Sequence, residues 1–210
     1  MSGDSVIGKT SYTRFFKPLL DRVLAMLLLV PLSPILLVLA LLIKCTSRGP
    51  VFFKQRRIGR HRSEFEIYKF RSMYVDPPKD TPTHLLTNAT SHITPVGRFL
   101  RKSSLDELPQ IFNILNGTMS FIGPRPALWN QYDLADERDR WGANDVTPGI
   151  TGWAQVTGRD ELPIPVKAER DGYYAGHISF TLDIRILFLT CFNVLVAKGV
   201  REGAAGDEKK

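Results

Sequence analysis

The sequence predicts a mainly helical protein with one small β-hairpin, built on an N-terminal segment that inserts into a membrane. Three observations predict this. No residue from Val23 to Ile43 is charged, and as a helix that run is ~31 Å long, enough to match a bilayer core. Next, Val51–Phe53 and Phe65–Phe70, rich in aromatic and β-branched residues, flank a basic turn containing Gly59, the pattern of a hairpin. Beyond the hairpin, apolar residues recur mostly at helical spacing. A length of 210 residues suits one domain with a membrane appendage.

The first residues, Gly3 to Thr10, read GDSVIGKT and fit the phosphate-loop pattern G-x-x-x-x-G-K-T. Such a loop must follow a buried strand. Only two residues precede Gly3, so the match is read as coincidence within a flexible tail, residues 1–13. The apolar run that follows contains Pro31-Leu32-Ser33-Pro34. Each proline removes a ladder hydrogen bond, the acceptors being Leu27 and Val30, and pushes on the preceding turn. Ser33 can serve a freed carbonyl. Basic residues flank both ends: Arg14, Lys17 and Arg22 before, Lys44, Arg48, Lys54, Arg56 and Arg57 after. Positive flanks stay cytoplasmic. Two topologies therefore compete, a kinked span and a re-entrant segment that turns at Ser33-Pro34, and the doubly basic flanks favour the second. The membrane unit is residues 14–48.

Residues 49–198 read as a second, folded unit. In the hairpin, Lys69 and Arg71 lie two apart and are expected to share a strand face. Val75 to Ser91, rich in Pro, Thr, Asp and Asn, reads as a loop. Thr94 to Arg101 reads as a turn and a short helix presenting Arg98 and Arg101. Ala127–Trp141 and Val166–Tyr174 read as helices, and the Pro148–Arg159 stretch between them as a glycine-punctuated loop suited to a nucleotide or phosphate. Ile178–Ala197 is a second apolar segment. Asp183, Arg185, Thr190 and Asn193 make it a poor span, so it packs on the core or lies in the interface. Residues 199–210 read as a disordered tail.

The chemistry centres on Ser103–Pro126, SSLDELPQIFNILNGTMSFIGPRP. Leu108, Ile111, Phe112 and Leu115 are expected to form one buried helical face, and Gly117 to end the helix. Ser104 and Glu107 fit a capping box, but that frame puts Pro109 inside the helix, where it costs a ladder bond. A start at Asp106 puts Pro109 in the first turn and Asp106 at the positive end of the helix dipole. It also frees Glu107 for chemistry. An ionised carboxylate is a workable nucleophile toward phosphorus when a metal neutralises the phosphate, and Mg²⁺ takes one or two carboxylates plus substrate phosphates. Arg101 and Arg125 flank the acid pair. The pattern points to metal-assisted phosphoryl chemistry at a membrane surface.

Lys69-Phe-Arg-Ser-Met73, Leu105–Pro126 and Pro148–Arg159, with Ser33-Pro34 and Leu182-Asp183, resemble the bacterial sugar transferases, the small monotopic phosphoglycosyl transferases. The resemblance covers about Arg14 to Lys198, and it is to the minimal catalytic form of that family. It implies a monotopic protein with a re-entrant, proline-broken helix and interfacial amphipathic helices on the cytoplasmic face of the inner membrane. It implies transfer of a sugar-1-phosphate from a UDP-sugar to a polyprenyl phosphate, usually undecaprenyl phosphate, with release of UMP. This is the first membrane step of glycoconjugate or exopolysaccharide assembly, and downstream glycosyltransferases would take up the product. Carried over, Asp106 is the nucleophile of a covalent phosphosugar intermediate and Glu107 holds Mg²⁺, with Asp106 beside it. Arg101 and Arg125 bind phosphates, Lys69, Arg71 and Arg159 line the site, and Ser33-Pro34 makes the membrane hairpin. Pro31 is a second proline beside that pair. Asp76–Ser91 and Asp160–Lys167 are the expected sugar-selecting segments.

Other classes fit less well. The net charge of +7 asks for an anionic partner, but the arginines gather round carboxylates and no nucleic-acid motif is present. A membrane-bound adaptor would need neither acid. Cys45 and Cys191 match no metal or disulfide spacing, and the four histidines are scattered. The topology is testable with Cys45 and Cys191 replaced by serine. Single cysteines at Lys9 and at Lys54 are expected to react with an impermeant reagent from the same side, whereas labelling from opposite sides would mean a spanning helix.

Overall fold

The computed structural model describes residues 10–74, 92–158 and 162–196. A π-helical turn, Tyr12–Phe16, leads into α1, Lys17–Thr46. β1, Phe52–Ile58, pairs antiparallel with β2, Glu64–Phe70, in the register Phe52↔Phe70 to Ile58↔Glu64. α2 is Pro95–Lys102, and Thr94 caps it by accepting from Gly97 N at 2.8 Å. A 3₁₀ turn, Leu105–Gln110, runs into α3, Ile111–Leu115. β3, Ser120–Ile122, pairs in parallel with β4, Gly149–Thr151, across α4, Tyr132–Arg140. α5, α6 and α7 are Trp153–Gly158, Ile164–Gly176 and Phe180–Leu195. The expected helical class with one small hairpin is therefore found, together with a second, two-stranded parallel pairing.

α1 packs along the rest of the protein. Ala25, Leu39 and Ile43 are buried, and Leu29, Leu32, Leu36 and Ala40 pack between them. These positions recur every three or four residues and form one stripe. Its first half meets Ile67, Ile111, Ile114 and Met119, and its second half meets Phe70 and Leu100. The other faces expose Leu19, Leu24, Leu27, Val30, Leu37, Val38 and Leu41. The chain stays helical through Pro31 and Pro34, so the prolines do not end the helix as a break would. Ser33 Oγ donates to the Val30 carbonyl at 2.8 Å, the acceptor that Pro34 leaves without an N–H.

A buried polar joint fixes the base of α1. Asp183 of α7 accepts from Lys17 Nζ (2.7 Å), Tyr12 Oη (2.8 Å) and Tyr174 Oη (2.8 Å). One of the four residues that make α7 a poor membrane span is thus an internal acceptor. α7 keeps an apolar outer face with Ile184, Leu187, Phe188 and Phe192 exposed.

Close backbone packing accounts for several glycines. A Cβ on Gly97 would lie 1.9 Å from the Ser72 carbonyl, and one on Gly149 or Gly152 would lie 2.1–2.2 Å from Gly123 backbone atoms. As far as Gly158, the Pro148–Arg159 stretch, expected to be a loop, is β4 followed by α5, and its first two glycines let the backbone pass close to Gly123. α4 begins at Tyr132, because Ala127 and Leu128 are drawn against the hairpin: Ile58 N donates to the Ala127 carbonyl, and Arg57 bridges to Leu128.

Arg138 of α4 is buried. It donates through Nε (2.9 Å) and Nη2 (2.5 Å) to Asp171 of α6, and through Nη2 to the Arg125 carbonyl (2.9 Å). Asp171→Asn would leave a buried guanidinium without its counter-ion. It is expected to cost about 3 kcal/mol or more, read as a lower midpoint in thermal unfolding of the detergent-solubilised protein.

Candidate active site

The acid pair lies in the 3₁₀ turn, not at the start of an α-helix. Ser104 precedes it with a left-handed φ of 57° and makes no side-chain cap bond. The tighter 3₁₀ winding accommodates Pro109 and keeps Asp106 in its first turn, while the α-helix itself begins only at Ile111. The buried face also differs. Ile111 and Ile114 are core, with Asn113 between them, while Phe112 is 38% exposed. Asn113 explains this orientation: its Nδ2 donates to the Glu66 carbonyl (2.7 Å) and its Oδ1 accepts from Tyr68 N (3.0 Å). This locks α3 and the preceding turn onto β2.

Glu107 is thereby set between two cations. Its Oε1 accepts from Lys69 Nζ at 2.6 Å and Arg125 Nη2 at 2.7 Å, and Oε2 lies 3.4 Å from Arg125 Nη1. Burial alone would raise the Glu107 pKa. The charges and hydrogen bonds of Arg125 and Lys69 outweigh it and hold the carboxyl far below the usual carboxylate range. Glu107 is thus a fixed anion.

Asp106 is different. It is 8% exposed and accepts no hydrogen bond from the described residues. Burial is the largest influence and pushes its pKa up. Lys69, Arg101 and Arg125 pull it down, and the Glu107 charge adds to the rise. The result is a buried carboxylate with positive charge nearby and no direct partner among the described residues.

The other expected site residues divide. Lys69 and Arg125 join Glu107. Arg101, in the last turn of α2, donates through Nε to Ser72 Oγ at 3.1 Å and contributes positive charge at Asp106. Arg71 does not share a face with Lys69, because β2 ends at Phe70. Its Nη2 instead donates to the carbonyl (2.8 Å) and Oγ (2.7 Å) of Ser47, capping the C-terminus of α1. Arg71 Nε and Nη1 are buried without a partner, and burial lowers its pKa. Arg159 lies outside the described residues, as do the N-terminal Gly-Lys run up to Lys9, residues 75–91, residues 159–161 and the C-terminal tail.

Sequence reasoning missed three contributors. Ser72 orients Arg101, and Arg138 braces the Arg125 backbone. Gln110 is 1% exposed with both amide atoms unpartnered, one turn beyond Asp106. A glutamine directly after Pro109, at a position facing the core, was the available signal for the last.

A model of the family described as bacterial sugar transferase matches residues 12–197. The chain is 43% identical over 199 residues to a UDP-glucose:undecaprenyl-phosphate glucose-1-phosphate transferase of Xanthomonas campestris pv. campestris, covering 91% of this chain and 41% of that protein. It is 41% identical over 186 residues to the uncharacterized sugar transferase EpsL of Bacillus subtilis (strain 168), covering 89% of this chain and 90% of that one. It is 40% identical over 188 residues to a UDP-N-acetylgalactosamine-undecaprenyl-phosphate N-acetylgalactosaminephosphotransferase of Aeromonas hydrophila, covering 85% and 44%. The chain thus spans less than half the length of the two relatives named for a substrate and nearly all of EpsL. Those two are named for different sugars at similar identity, so overall identity does not select the sugar.

The two carboxylates have opposite effects on stability. The depressed pKa of Glu107 gives stability that is complete above its ordinary value of about 4.3 and lost as pH falls below it. The raised pKa of Asp106 makes its charge a cost that lessens as pH falls. At pH 7, Asp106→Asn is expected to keep or raise the unfolding midpoint. Glu107→Gln is expected to lower it by the equivalent of about 1–3 kcal/mol, since Lys69 and Arg125 then face a neutral amide.

Proposed function

Because the chain belongs to the bacterial sugar transferase family, we propose that it transfers a sugar-1-phosphate from a UDP-sugar to undecaprenyl phosphate, releasing UMP. The observation that carries the residue roles is the contrast between the two acids: one carboxylate held through Oε1 by Lys69 and Arg125, the other buried beside them and accepting no hydrogen bond from the described residues.

In this reading Asp106 is the nucleophile. One carboxylate oxygen attacks the β-phosphorus of the UDP-sugar, the bond to the bridging oxygen breaks, and UMP leaves with the electron pair. An oxygen of the lipid phosphate then attacks the same phosphorus and frees the aspartate. Glu107 keeps Lys69 and Arg125 aimed at the place where phosphate charge collects. Arg101 adds to that field from α2. Positioned donors of this kind act most strongly where charge develops in the transition state. The residues fit Mg²⁺: an Asp106 carboxylate without a hydrogen-bonding partner and the loosely held Oε2 of Glu107 make a two-carboxylate donor set suited to a cation shared with substrate phosphates. Mg²⁺ bound there would neutralise the diphosphate and stabilise the departing UMP.

The same reading puts the protein on the cytoplasmic face of the inner membrane. α1 would enter and leave the bilayer on one side, with its exposed apolar faces and that of α7 in lipid. Two observations support this: basic residues flank both ends of α1, and its packed stripe is held by one body along nearly its whole length.

With a panel of UDP-sugars, Asp106→Asn is expected to lower UMP release by at least on the order of 10⁴-fold, and the wild type to trap labelled phosphosugar when lipid phosphate is omitted. Near-normal turnover of Asp106→Asn would rule out the covalent route.

A further inference from the structure

A cavity of about 600 Å³ lies at the base of α1, separate from the acid pair. None of Lys69, Arg101, Asp106, Glu107 or Arg125 lines it. Gly117, which does, is ten residues beyond Glu107, ~15 Å along a helical path. The cavity is bounded by the first turns of α1, by the segment from Gly117 to Ser120, and by the loop from Asp145 to Thr147. Ile114, Met119 and Ile178 make part of its wall apolar.

Four cations line it: Arg14, Lys17, Arg22 and Arg60. The carboxylates at its edge are already engaged. Asp21 accepts from Ser120 Oγ at 2.7 Å and lies 3.9 Å from Lys17 Nζ. Asp145 pairs with His61 at 3.1 Å, and its carbonyl accepts from Arg60 Nε at 2.9 Å. Lys17 is bound to Asp183. Among the described residues, the guanidinium groups of Arg14 and Arg22 have no hydrogen bond and no ion pair, Arg14 touching only the Phe15 ring.

Arg22 is also placed. A Cβ on Gly117 would come within 2.5 Å of its Nη2, and Gly117 has φ +82°. The left-handed backbone favours glycine there, and the exposed Arg22 side chain lies against that glycine. The same turns of α1 expose Phe15, Phe16, Leu19, Leu20 and Val23. Apolar side chains beside arginines give the cavity the character of a headgroup-level site, with lipid next to it and water behind.

We propose that this cavity is a second anion site, binding a phosphate ester between Arg14 and Arg22, with any apolar tail running onto the exposed face of α1. Arginine's planar array of donors matches phosphate oxygens, and the apolar wall accepts the carbon next to the ester. A membrane phospholipid and free phosphate present this chemistry alike. Occupancy would brace the base of α1 against the body, a role distinct from phosphoryl transfer.

The test needs no sugar donor, so its outcome is independent of the proposed reaction. The full chain in detergent is titrated with inorganic phosphate and with dihexanoyl phosphatidylglycerol while the arginine Nε–Hε resonances are followed. In parallel, flotation compares phosphatidylcholine vesicles with and without phosphatidylglycerol. A diffuse surface field would cost ~5-fold in vesicle affinity for each charge removed, wherever it sits. A built site makes the loss for Arg14→Gln with Arg22→Gln severalfold larger than for Lys44→Gln with Arg48→Gln, at the other end of α1. Arg14→Lys with Arg22→Lys, which keeps the charge and the fold, should recover only part of that loss. Saturable shifts with the short-chain lipid alone assign a lipid headgroup, and shifts with both probes assign a phosphate site indifferent to its source. Absence of saturable shifts with either probe, or equal losses for the two neutral double variants, overturns the proposal.

Discussion

A line of linked polar groups holds the active region together, and most of the structure is arranged to keep it satisfied. Asp171 on α6 neutralises Arg138 on α4, and Arg138 fixes the Arg125 carbonyl. Arg125 and Lys69 of β2 both close on Glu107 in the 3₁₀ turn. Charges withdrawn from water are costly unless each meets a partner with good geometry. The hairpin, the 3₁₀ turn, the Gly-Pro-Arg-Pro loop and two helices therefore take up positions that leave no member of this line unmatched. Small-residue packing makes the approach possible, with Gly97 on Ser72 and Gly123 against Gly149 and Gly152.

Against that background Asp106 is the exception, a buried carboxylate whose charge the fold tolerates but does not bond. Such a group adds little to stability, and functional sites are where local rules of this kind are broken. The reading of Asp106 as nucleophile rests on this contrast more than on its position beside Glu107. Adjacent residues in one turn point in different directions, so one can be structural while its neighbour is left for substrate.

The apolar N-terminal helix is tied into the same body. Its packed stripe and the Lys17–Asp183 joint bind it to β2, α2, α3 and α7. Its remaining faces are apolar and exposed, and the helix is long and apolar enough to cross a membrane. The proline pair removes N–H donors without ending the helix, and Ser33 serves one of the carbonyls left over.

The sequence by itself determined the helical class, the hairpin, the apolar segment, the small helix behind Thr94, and the grouping of Asp106 and Glu107 with Arg101 and Arg125, whereas Lys69 joined them only through the family resemblance. These are legible because periodicity, turn residues and charge pattern are local. Tertiary structure decided what local pattern does not contain. Pro109 is accommodated by a 3₁₀ turn, so the α-helix starts at Ile111 instead of at Asp106. Asn113 bonds to β2, which turns Phe112 outward and Ile114 inward. Arg71 leaves the strand face to cap α1, and Asp183 becomes an internal acceptor instead of an interruption. The last three depend on partners 9 to 171 residues away, and a partner at that distance is fixed only when the chain has folded and the cost of burying each polar group is settled by whichever group lies opposite it.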